Sequence, residues 1–342
     1  MVELNGKKIL VTFLMHLGDL TLTTPFIHAL RKAAPDAHIT MLVDEKLKDV
    51  VLFNPYLDEV VTIDKKGRDN SILSLWACSR HLSKLDFDVL INLHPNERCS
   101  FIDAMTSVKL RTGTTHKIFK WFWDVFTPLD RSMHAADMYL DVLQQLGVQD
   151  LSNNGLEIFP GEEHFLEAEL FWQEQNITDQ DKLIGFNIGS AVPTKRWPPE
   201  RFAEVADIFA AKGYKTVFFG GPMDEEMVAE ATGYMQTRPI IATGHFAIGG
   251  LAAAMRRCCL IITNDSGPMH VAISQKVPIV AMYGPSNPKL YGPYTKDAVI
   301  VTAQPPCQGC ADGMKHSCDD LQCMSRMTVE QVVAAAGKML EK

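Results

Sequence analysis

Short apolar segments alternate along the chain with longer amphipathic ones. In the N-terminal half, the short segments predict strands at residues 8–14, 38–43, 59–63, 88–93 and 109–111. The segments between them, such as residues 20–33 and 71–85, carry apolar side chains at the spacing of a helix. This strand–helix order predicts a parallel sheet with helices on both faces.

The alternation breaks between residues 150 and 181, where polar and turn-forming residues precede a helical segment at residues 163–175. A second alternating block then predicts strands at residues 183–188, 216–219, 240–242, 260–263, 279–283 and 299–302, and a last helix at residues 329–340. We therefore expect an α/β protein of two Rossmann-like, doubly wound domains at residues 1–156 and 157–327, followed by a C-terminal helix at residues 328–342.

Ligands of doubly wound sheets bind outside the carboxyl ends of the strands, so functional residues are expected directly after strands. The strand predicted at residues 258–262 leads into Asp265, Ser266, Gly267, Pro268 and His270. Either Asp265 or Ser266 can cap the next helix, and Pro268 fits its first turn. The unbonded amides and the helix dipole favour an anion, Gly267 admits a bulky diphosphate, and His270 can donate to it. An ordinary capped helix explains these residues equally well.

The loop after residues 183–188 carries Ser190, Thr194, Lys195 and Arg196, and prolines stiffen it. A fixed cation there can neutralise a diphosphate leaving group in place of a metal ion. Solvated loop charges are the alternative. Trp197 is expected to pack beneath the loop.

Two further loops carry carboxylates. Asp19 follows the first strand and Gly18, and it is our candidate general base, because a carboxylate can take the proton of an attacking hydroxyl. Capping of a helix that begins at Leu20 is the competing explanation, and His16 could serve as the base instead. After residues 216–219, Asp224 or Glu225 could accept a hydrogen bond from a ribose hydroxyl, although a carboxylate that begins a helix needs no ligand to explain it.

Length, charge and apolar content argue against several classes of protein. The 342 residues suit two domains, and a formal net charge of −8 argues against nucleic acid as a partner. The N-terminus does not resemble a signal peptide, and no segment approaches the ~20 apolar residues that span a bilayer, so we expect a cytoplasmic protein. Asp86-x-Asp88 matches a metal-binding pattern of sugar transferases. It precedes an apolar strand rather than following one, so we do not expect it to bind a metal ion.

The eight cysteines form two groups. Those in apolar segments, Cys78, Cys99, Cys258 and Cys259, are expected to be buried packing residues. The other four are spaced C-x2-C-x7-C-x4-C at Cys307, Cys310, Cys318 and Cys323. This spacing could hold a structural zinc ion, while reduced packing thiols or a disulfide are the alternatives.

Taken together, Gly18–Asp19, the segment 195–198, and the segment 264–268 with His270 resemble glycosyltransferase family 9, the ADP-heptose:lipopolysaccharide heptosyltransferases. The resemblance implies a GT-B fold and inverting, metal-independent transfer, with the acceptor on the N-terminal domain and the nucleotide-sugar on the C-terminal one. It implies that Asp19 deprotonates the acceptor and that Lys195 stabilises the departing ADP. The remaining donor residues would be Gly18, Ser190, Thr194, Arg196, Glu225, Asp265, Ser266, Gly267, Pro268 and His270.

The implied acceptor is a lipid-anchored, phosphorylated sugar. Polar residues that could bind it are His94, Asn96, Arg98, His116, Lys117 and Lys120. Arg111 and the last three of these lie among Phe119, Trp121, Phe122, Trp123 and Phe126, a mixture that suits peripheral contact with the inner membrane. A helix whose aromatic face belongs to the core is the alternative.

Other functions with this architecture stay open. A nucleotide-sugar 2-epimerase or hydrolase would form product without an acceptor, and a family member could use another nucleotide-sugar. A non-catalytic binding protein usually works outside the cytoplasm. A nicotinamide dehydrogenase is disfavoured, because neither Gly18 nor Gly189 belongs to a G-x-G-x-x-G pattern.

Overall fold

The computed structural model describes residues 2–304, 310, 318 and 320–341. The chain divides into two units, Met1–Phe159 and Pro160–Lys342, each built on its own parallel sheet. Over the described ranges, every helix is too short or too polar to cross a bilayer.

The first unit contains a six-stranded parallel sheet in the order β3-β2-β1-β4-β5-β6. Its strands are β1 (Lys8–Thr12), β2 (His38–Asp44), β3 (Glu59–Ile63), β4 (Phe87–Asn92), β5 (Val108–Gly113) and β6 (Val125–Phe126). Leu10 of β1 pairs with Leu90 of β4, and both belong to the buried core between this sheet and its helices. Each strand predicted from the sequence is present, and the two-residue strand β6 is an addition.

Helices cover this sheet on the two faces expected of βαβ units. They are α1 (Leu17–Thr21), α2 (Thr24–Ala33), α3 (Ile72–Ser83), α4 (Glu97–Met105) and α5 (Ala135–Gln145), with short 3-10 helices at Glu45–Val50 and Lys117–Phe122. The predicted single helix at residues 20–33 is wrong, because the chain forms α1 and α2 with a break near Thr23. Pro25 causes the break, since its ring would clash with the carbonyl of Thr21 in a continuous helix. The Thr24 hydroxyl donates to that carbonyl instead, at 2.8 Å.

The second unit repeats the same topology in the order β12-β11-β10-β7-β8-β9. Its strands are β7 (Leu183–Asn187), β8 (Lys215–Phe219), β9 (Ile240–Ile241), β10 (Cys258–Asn264), β11 (Ile279–Met282) and β12 (Ala298–Val301). Its helices are α6 (Glu162–Glu174), α7 (Pro199–Ala211), α8 (Glu225–Tyr234), α9 (Ile248–Met255), α10 (Gly267–Ser274) and α11 (Pro288–Tyr291), followed by Gln322–Ser325 and the C-terminal helix Val329–Leu340.

The strand order shows where each sheet is expected to bind a ligand. Counted from its own first strand, each sheet runs 3-2-1-4-5-6, so the order reverses between β1 and β4 in the first unit and between β7 and β10 in the second. Doubly wound sheets bind ligands outside the carboxyl ends of the strands at such a reversal. The C-terminal helix packs through Val332 and Met339 into the core of the second unit, together with Trp197.

Candidate functional site

In the second unit, buried amide side chains connect the carboxyl ends of β7 and β10. Asn264 Nδ2 donates to the carbonyl of Ile188 at 2.7 Å, and its Oδ1 accepts from the backbone amide of Trp197 at 3.1 Å. Asn187 Nδ2 donates to Ser266 Oγ at 2.8 Å. The loop after β7 and the start of α10 therefore hold fixed positions relative to each other.

Trp197 anchors the far end of that loop. It is fully buried, its ring packs edge-on against Phe202, and its Nε1 donates to the carbonyl of Met327 at 3.1 Å. This confirms the prediction that Trp197 packs beneath the loop. Because an indole has a single N–H donor, this bond satisfies the buried ring completely.

An ion pair between Lys195 and Asp265 lies at the carboxyl ends of these strands. Lys195 Nζ lies 2.8 Å from Asp265 Oδ2, and the two side chains are only 14% and 6% exposed. The Ser286 hydroxyl donates to the same carboxylate oxygen. Burial, reinforced by the charge of Asp265, raises the pKa of the neighbouring Tyr283 well above its usual range. A cation is therefore fixed beside the first turn of α10.

The first turn of α10 begins at Gly267, with Ser266 as the N-cap residue and Pro268 within the first two helical positions. The Ser266 hydroxyl accepts from Asn187 rather than from an amide of that turn. Asp265 precedes the cap and pairs with Lys195, and His270 is buried one turn into the helix. A helix N-terminus beside a fixed ammonium group has the electrostatics of an anion site.

The structure assigns a different role to Arg196 from that of Lys195. Its Nε and Nη2 both donate to the carbonyl of Ser190, at 2.9 and 2.7 Å. The Ser190 hydroxyl accepts from the amide of Val192 at 3.3 Å, and Thr194 is buried in the same loop. Arg196 thus braces the loop that presents Lys195.

Two carboxylates, Asp224 and Glu225, follow β8, and each lies close to a glycine. A Cβ atom at Gly189 would lie 2.1 Å from Asp224 Oδ1, and Asp224 Oδ2 accepts from the amide of Gly221 at 2.9 Å. Glu225 begins α8, where its side chain is exposed and its Oε1 lies against Gly244, whose φ is +74°. Asp224 therefore packs between glycine-bearing loops, and Glu225 is the more accessible carboxylate.

In the first unit, Asp19 lies in α1, directly after the loop that follows β1. The helix begins at Leu17 with His16 as its N-cap residue, so the alternative that Asp19 caps a helix starting at Leu20 is wrong. Asp19 is the third residue of α1 and half-buried, while His16 is exposed.

Beside this segment lies a basic cavity of about 460 Å³ at the carboxyl edge of the sheet. It is lined by Leu14, Met15, Lys65, Pro95, Asn96, Glu97, Arg98 and His116. Lys65 Nζ pairs with Asp44 at 3.1 Å and donates to the carbonyls of Leu14 and Met15 at 3.0 and 2.9 Å. Lys65 therefore connects the cavity to the segment that carries Asp19.

A second cavity of about 420 Å³ is lined by Lys65, Lys66, Asn70 and Arg98. Arg98 donates to Asn70 Oδ1 at 2.7 Å and to the carbonyl of Lys65. Lys65 and Lys66 were not predicted, although they follow β3 directly and the rule that singled out the other loops applies to them as well.

The structure brings together some predicted acceptor residues and separates others. Asn96, Arg98 and His116 line the 460 Å³ cavity, whereas Lys117 and Lys120 are exposed on the neighbouring 3-10 helix. Asn96 also caps α4 by accepting from the amide of Cys99 at 2.7 Å. The two lysines therefore lie on the exposed surface beside the cavity, and their part in acceptor binding stays a prediction.

His94 follows β4, and its ring packs edge-on against Phe13. Burial, with Arg131 and His16 nearby, lowers the pKa of His94 to about 4, so the ring is neutral near pH 7. Its buried Nδ1 has no hydrogen-bond partner among the described residues. Because this nitrogen is enclosed, a ligand does not reach it in this arrangement of the site.

The sequence predicts that Arg111 belongs to a basic surface, but its guanidinium group bonds to backbone carbonyls instead. Its Nε donates to the carbonyl of Asp103 at 3.0 Å, and its Nη2 donates to the carbonyl of Thr106. The guanidinium therefore satisfies carbonyls at the end of α4, which are otherwise left without helical partners.

Of the four clustered cysteines, three are among the residues that the structure describes. Cys307 is not among the described residues, Cys310 and Cys318 are half-buried, and Cys323 is buried beside Gly284. Within the described part of the chain, no three His, Cys, Asp or Glu side chains group as metal ligands.

Comparison with known proteins shows similarity over nearly the whole chain. The family model of glycosyltransferase family 9 (heptosyltransferase) matches residues 75–318. The chain is 53% identical to a glycosyl transferase family 9 protein from Veillonella parvula DSM 2008, covering 99% of each chain with a TM-score of 0.95. It is 24% identical to lipopolysaccharide heptosyltransferase 3 of Escherichia coli (strain K12), over 94% of this chain and 95% of the relative.

A more distant solved structure shares the fold. ADP-heptose lps heptosyltransferase II of E. coli is 21% identical, covers 98% of each chain and has a TM-score of 0.82. Together with the two doubly wound sheets, this similarity confirms the predicted GT-B fold class.

Proposed function

This chain belongs to glycosyltransferase family 9, and we propose that it transfers a heptose from ADP-heptose to the inner core of lipopolysaccharide. The observation that carries the proposal is the buried Lys195–Asp265 pair beside the first turn of α10. Similarity to lipopolysaccharide heptosyltransferases supports this donor and this acceptor.

The second unit would bind the donor. The first-turn amides of α10 and the Lys195 ammonium group supply positive charge for the diphosphate, and Gly267 leaves room for it. Asp265 and Ser286 would hold Lys195 in position before the donor arrives. Glu225, exposed at the start of α8, is the carboxylate that we assign to the ribose hydroxyls.

The first unit would bind the acceptor. Lys65, Lys66 and Arg98 give its adjoining cavities a positive charge that suits a phosphorylated sugar. His94 follows β4 with a neutral ring and stays a candidate for the acceptor, as the sequence predicts. Lys65 also bonds to the carbonyls of Leu14 and Met15, which fixes the segment leading to Asp19.

In the proposed reaction, Asp19 takes the proton of the acceptor hydroxyl as its oxygen attacks the anomeric carbon of the heptose. The bond between that carbon and the phosphate oxygen breaks, and ADP leaves with the bonding electrons. Attack opposite to the leaving group inverts the anomeric configuration. Lys195 neutralises the charge that develops on ADP, so the step needs no metal ion.

Mass spectrometry of the products tests this proposal. The chain is incubated with ADP-heptose and EDTA, with either Kdo-bearing lipid A or an already heptosylated core as the acceptor. We expect one heptose to be added to one of these acceptors and ADP to be released in equal amount. A sugar product formed without acceptor would instead indicate an epimerase or a hydrolase. Transfer that occurs only with a different nucleotide-sugar would refute the assigned donor.

A further inference from the structure

Large apolar side chains are exposed on the first unit in two places. The first cluster lies on the 3-10 helix Lys117–Phe122, where Trp121 is 94% exposed. The second lies in the first turns of α3, where Leu73 is 74% exposed. We call them the Trp121 cluster (Ile118, Trp121, Phe122) and the Leu73 cluster (Ile72, Leu73, Trp76). Exposed apolar groups of this size indicate an interaction surface.

The neighbouring aromatic residues behave differently from the Trp121 cluster. Phe119 packs edge-on against Phe101, and Trp123 is buried with its Nε1 donating to the carbonyl of Thr112 at 3.0 Å. These two residues hold the segment on the unit. The core therefore explains Phe119 and Trp123, whereas Ile118, Trp121 and Phe122 stay 59%, 94% and 45% exposed.

Both clusters flank the first turn of α4. The loop before α3 is tied to that turn by the 2.7 Å bond from Arg98 to Asn70, and the backbone amide of His116, directly before the 3-10 helix, donates to Ser100 Oγ of α4 at 2.9 Å. The successive connections from β3 to β6 advance in one direction across the sheet. Right-handed crossovers therefore put α3, α4 and the 3-10 helix on one face. The two clusters belong to a single face of the unit, at its carboxyl edge.

Positive charge accompanies the apolar groups. The segment 117–122 contains Lys117 and Lys120, both exposed, and no acidic residue. Lys66 and Arg98 line the cavity beside the Leu73 cluster. These four cations lie on this face although the whole chain carries a formal net charge of −8, and Glu97 is the acidic side chain that lines the cavity of about 460 Å³ with Arg98.

We propose that the Trp121 and Leu73 clusters form a docking surface for an anionic lipid bilayer. Tryptophan with lysine is the combination that the headgroup region favours, because the ring reaches the apolar layer while the ammonium groups meet lipid phosphates. Docking in this way brings the basic cavity at the first turn of α4 to the bilayer surface. The inference rests on the proposed function only for the expectation that the acceptor is lipid-anchored.

Flotation of the whole protein with vesicles tests the surface without donor or acceptor. We expect binding to phosphatidylcholine vesicles that contain phosphatidylglycerol, weaker binding to pure phosphatidylcholine, and release by salt. Replacing Trp121→Ala and Leu73→Ser together should lower the vesicle-bound fraction at least tenfold. Lys117→Glu with Lys120→Glu should lower it by more than ~25-fold, because each basic group near an anionic surface changes binding roughly fivefold.

The control is Leu166→Ser with Leu170→Ser, which removes apolar side chains that are 57% and 50% exposed on α6 in the other unit. We expect this variant to bind vesicles within twofold of the native protein. Three results would overturn the proposal: no flotation of the native protein, an equal loss in the control, or a native dimer that Trp121→Ala dissociates.

A water-soluble acceptor analogue separates this inference from the proposed function. If both hold, the Trp121→Ala and Leu73→Ser variant transfers heptose to the soluble analogue at the native rate but not to vesicle-embedded acceptor. If the native protein binds vesicles but transfers to neither acceptor, the proposed function fails while the docking surface stands.

Discussion

The Lys195–Asp265 pair should be strongly coupled energetically, and a double-mutant cycle measures this. The variants are Lys195→Met, Asp265→Asn and their combination. At 2.8 Å, an effective dielectric constant of 20 gives an attraction of about 6 kcal/mol, which desolvation of both groups partly offsets. Losing one partner leaves a buried, uncompensated charge at a cost of ~3–5 kcal/mol, whereas losing both removes that penalty. We therefore expect a coupling free energy of at least ~3 kcal/mol.

The assay must report on the second unit, because the two units can unfold separately. Hydrogen exchange of peptides from β7 and β10, measured at increasing urea, gives the unfolding free energy of the sheet that carries the pair. Because both side chains are almost fully buried, high salt should change the coupling little. Single-variant losses that simply add in the double variant would refute the reasoning, since they would show that the pair contributes no interaction energy.

Two other predictions concern the surroundings of the proposed sites. Gly189→Ala should displace Asp224 from the amide of Gly221 and lower the melting temperature, because the added Cβ would lie 2.1 Å from the carboxylate. The same change made together with Asp224→Ala should be tolerated, and an equal loss in both backgrounds would contradict the steric argument. Asp103, buried under hydrogen bonds from Thr12 and Asn92, has its pKa raised to about 7 by burial. The stability that this group contributes is complete below the pKa of the unfolded state, near 4, and is lost as the pH rises through 7. Between pH 4 and 8, the free energy of unfolding of Asp103→Asn should therefore rise by up to about 4 kcal/mol relative to that of the native protein. Urea unfolding of both proteins across this pH range tests the prediction. A difference in unfolding free energy between them that does not vary with pH would contradict it.

The order of strands and the loops that follow them could be predicted from the sequence, because apolar periodicity is a local property of the chain. The rule that ligands meet the carboxyl ends of strands then singled out Asp19, Lys195 and Asp265 before any contact was known. Side-chain direction could not be predicted in this way. Arg196 bends back onto the carbonyl of Ser190, and only the folded loop shows that contact.

Two other placements depend on the fold in the same way. Lys117 and Lys120 are near His116 in sequence, but the 3-10 helix directs them to the surface and away from the cavity. Ser286 follows β11 and reaches Asp265 across the strand ends, a contact that depends on β10 and β11 being neighbours. Neighbouring strands in a sheet are set by topology, which a single stretch of sequence does not reveal.

The proposed mechanism places the general base on the first unit and the donor site on the second. It is tested most directly by measuring ADP affinity by calorimetry and heptose transfer by mass spectrometry for the native chain, Asp19→Asn and Lys195→Gln. We predict that Asp19→Asn binds ADP within twofold of the native chain but transfers about 10²–10⁴-fold more slowly, as expected for loss of a general base. Lys195→Gln should weaken ADP binding and slow transfer together. Native transfer by Asp19→Asn, or a loss of ADP affinity equal to that of Lys195→Gln, would contradict the claim.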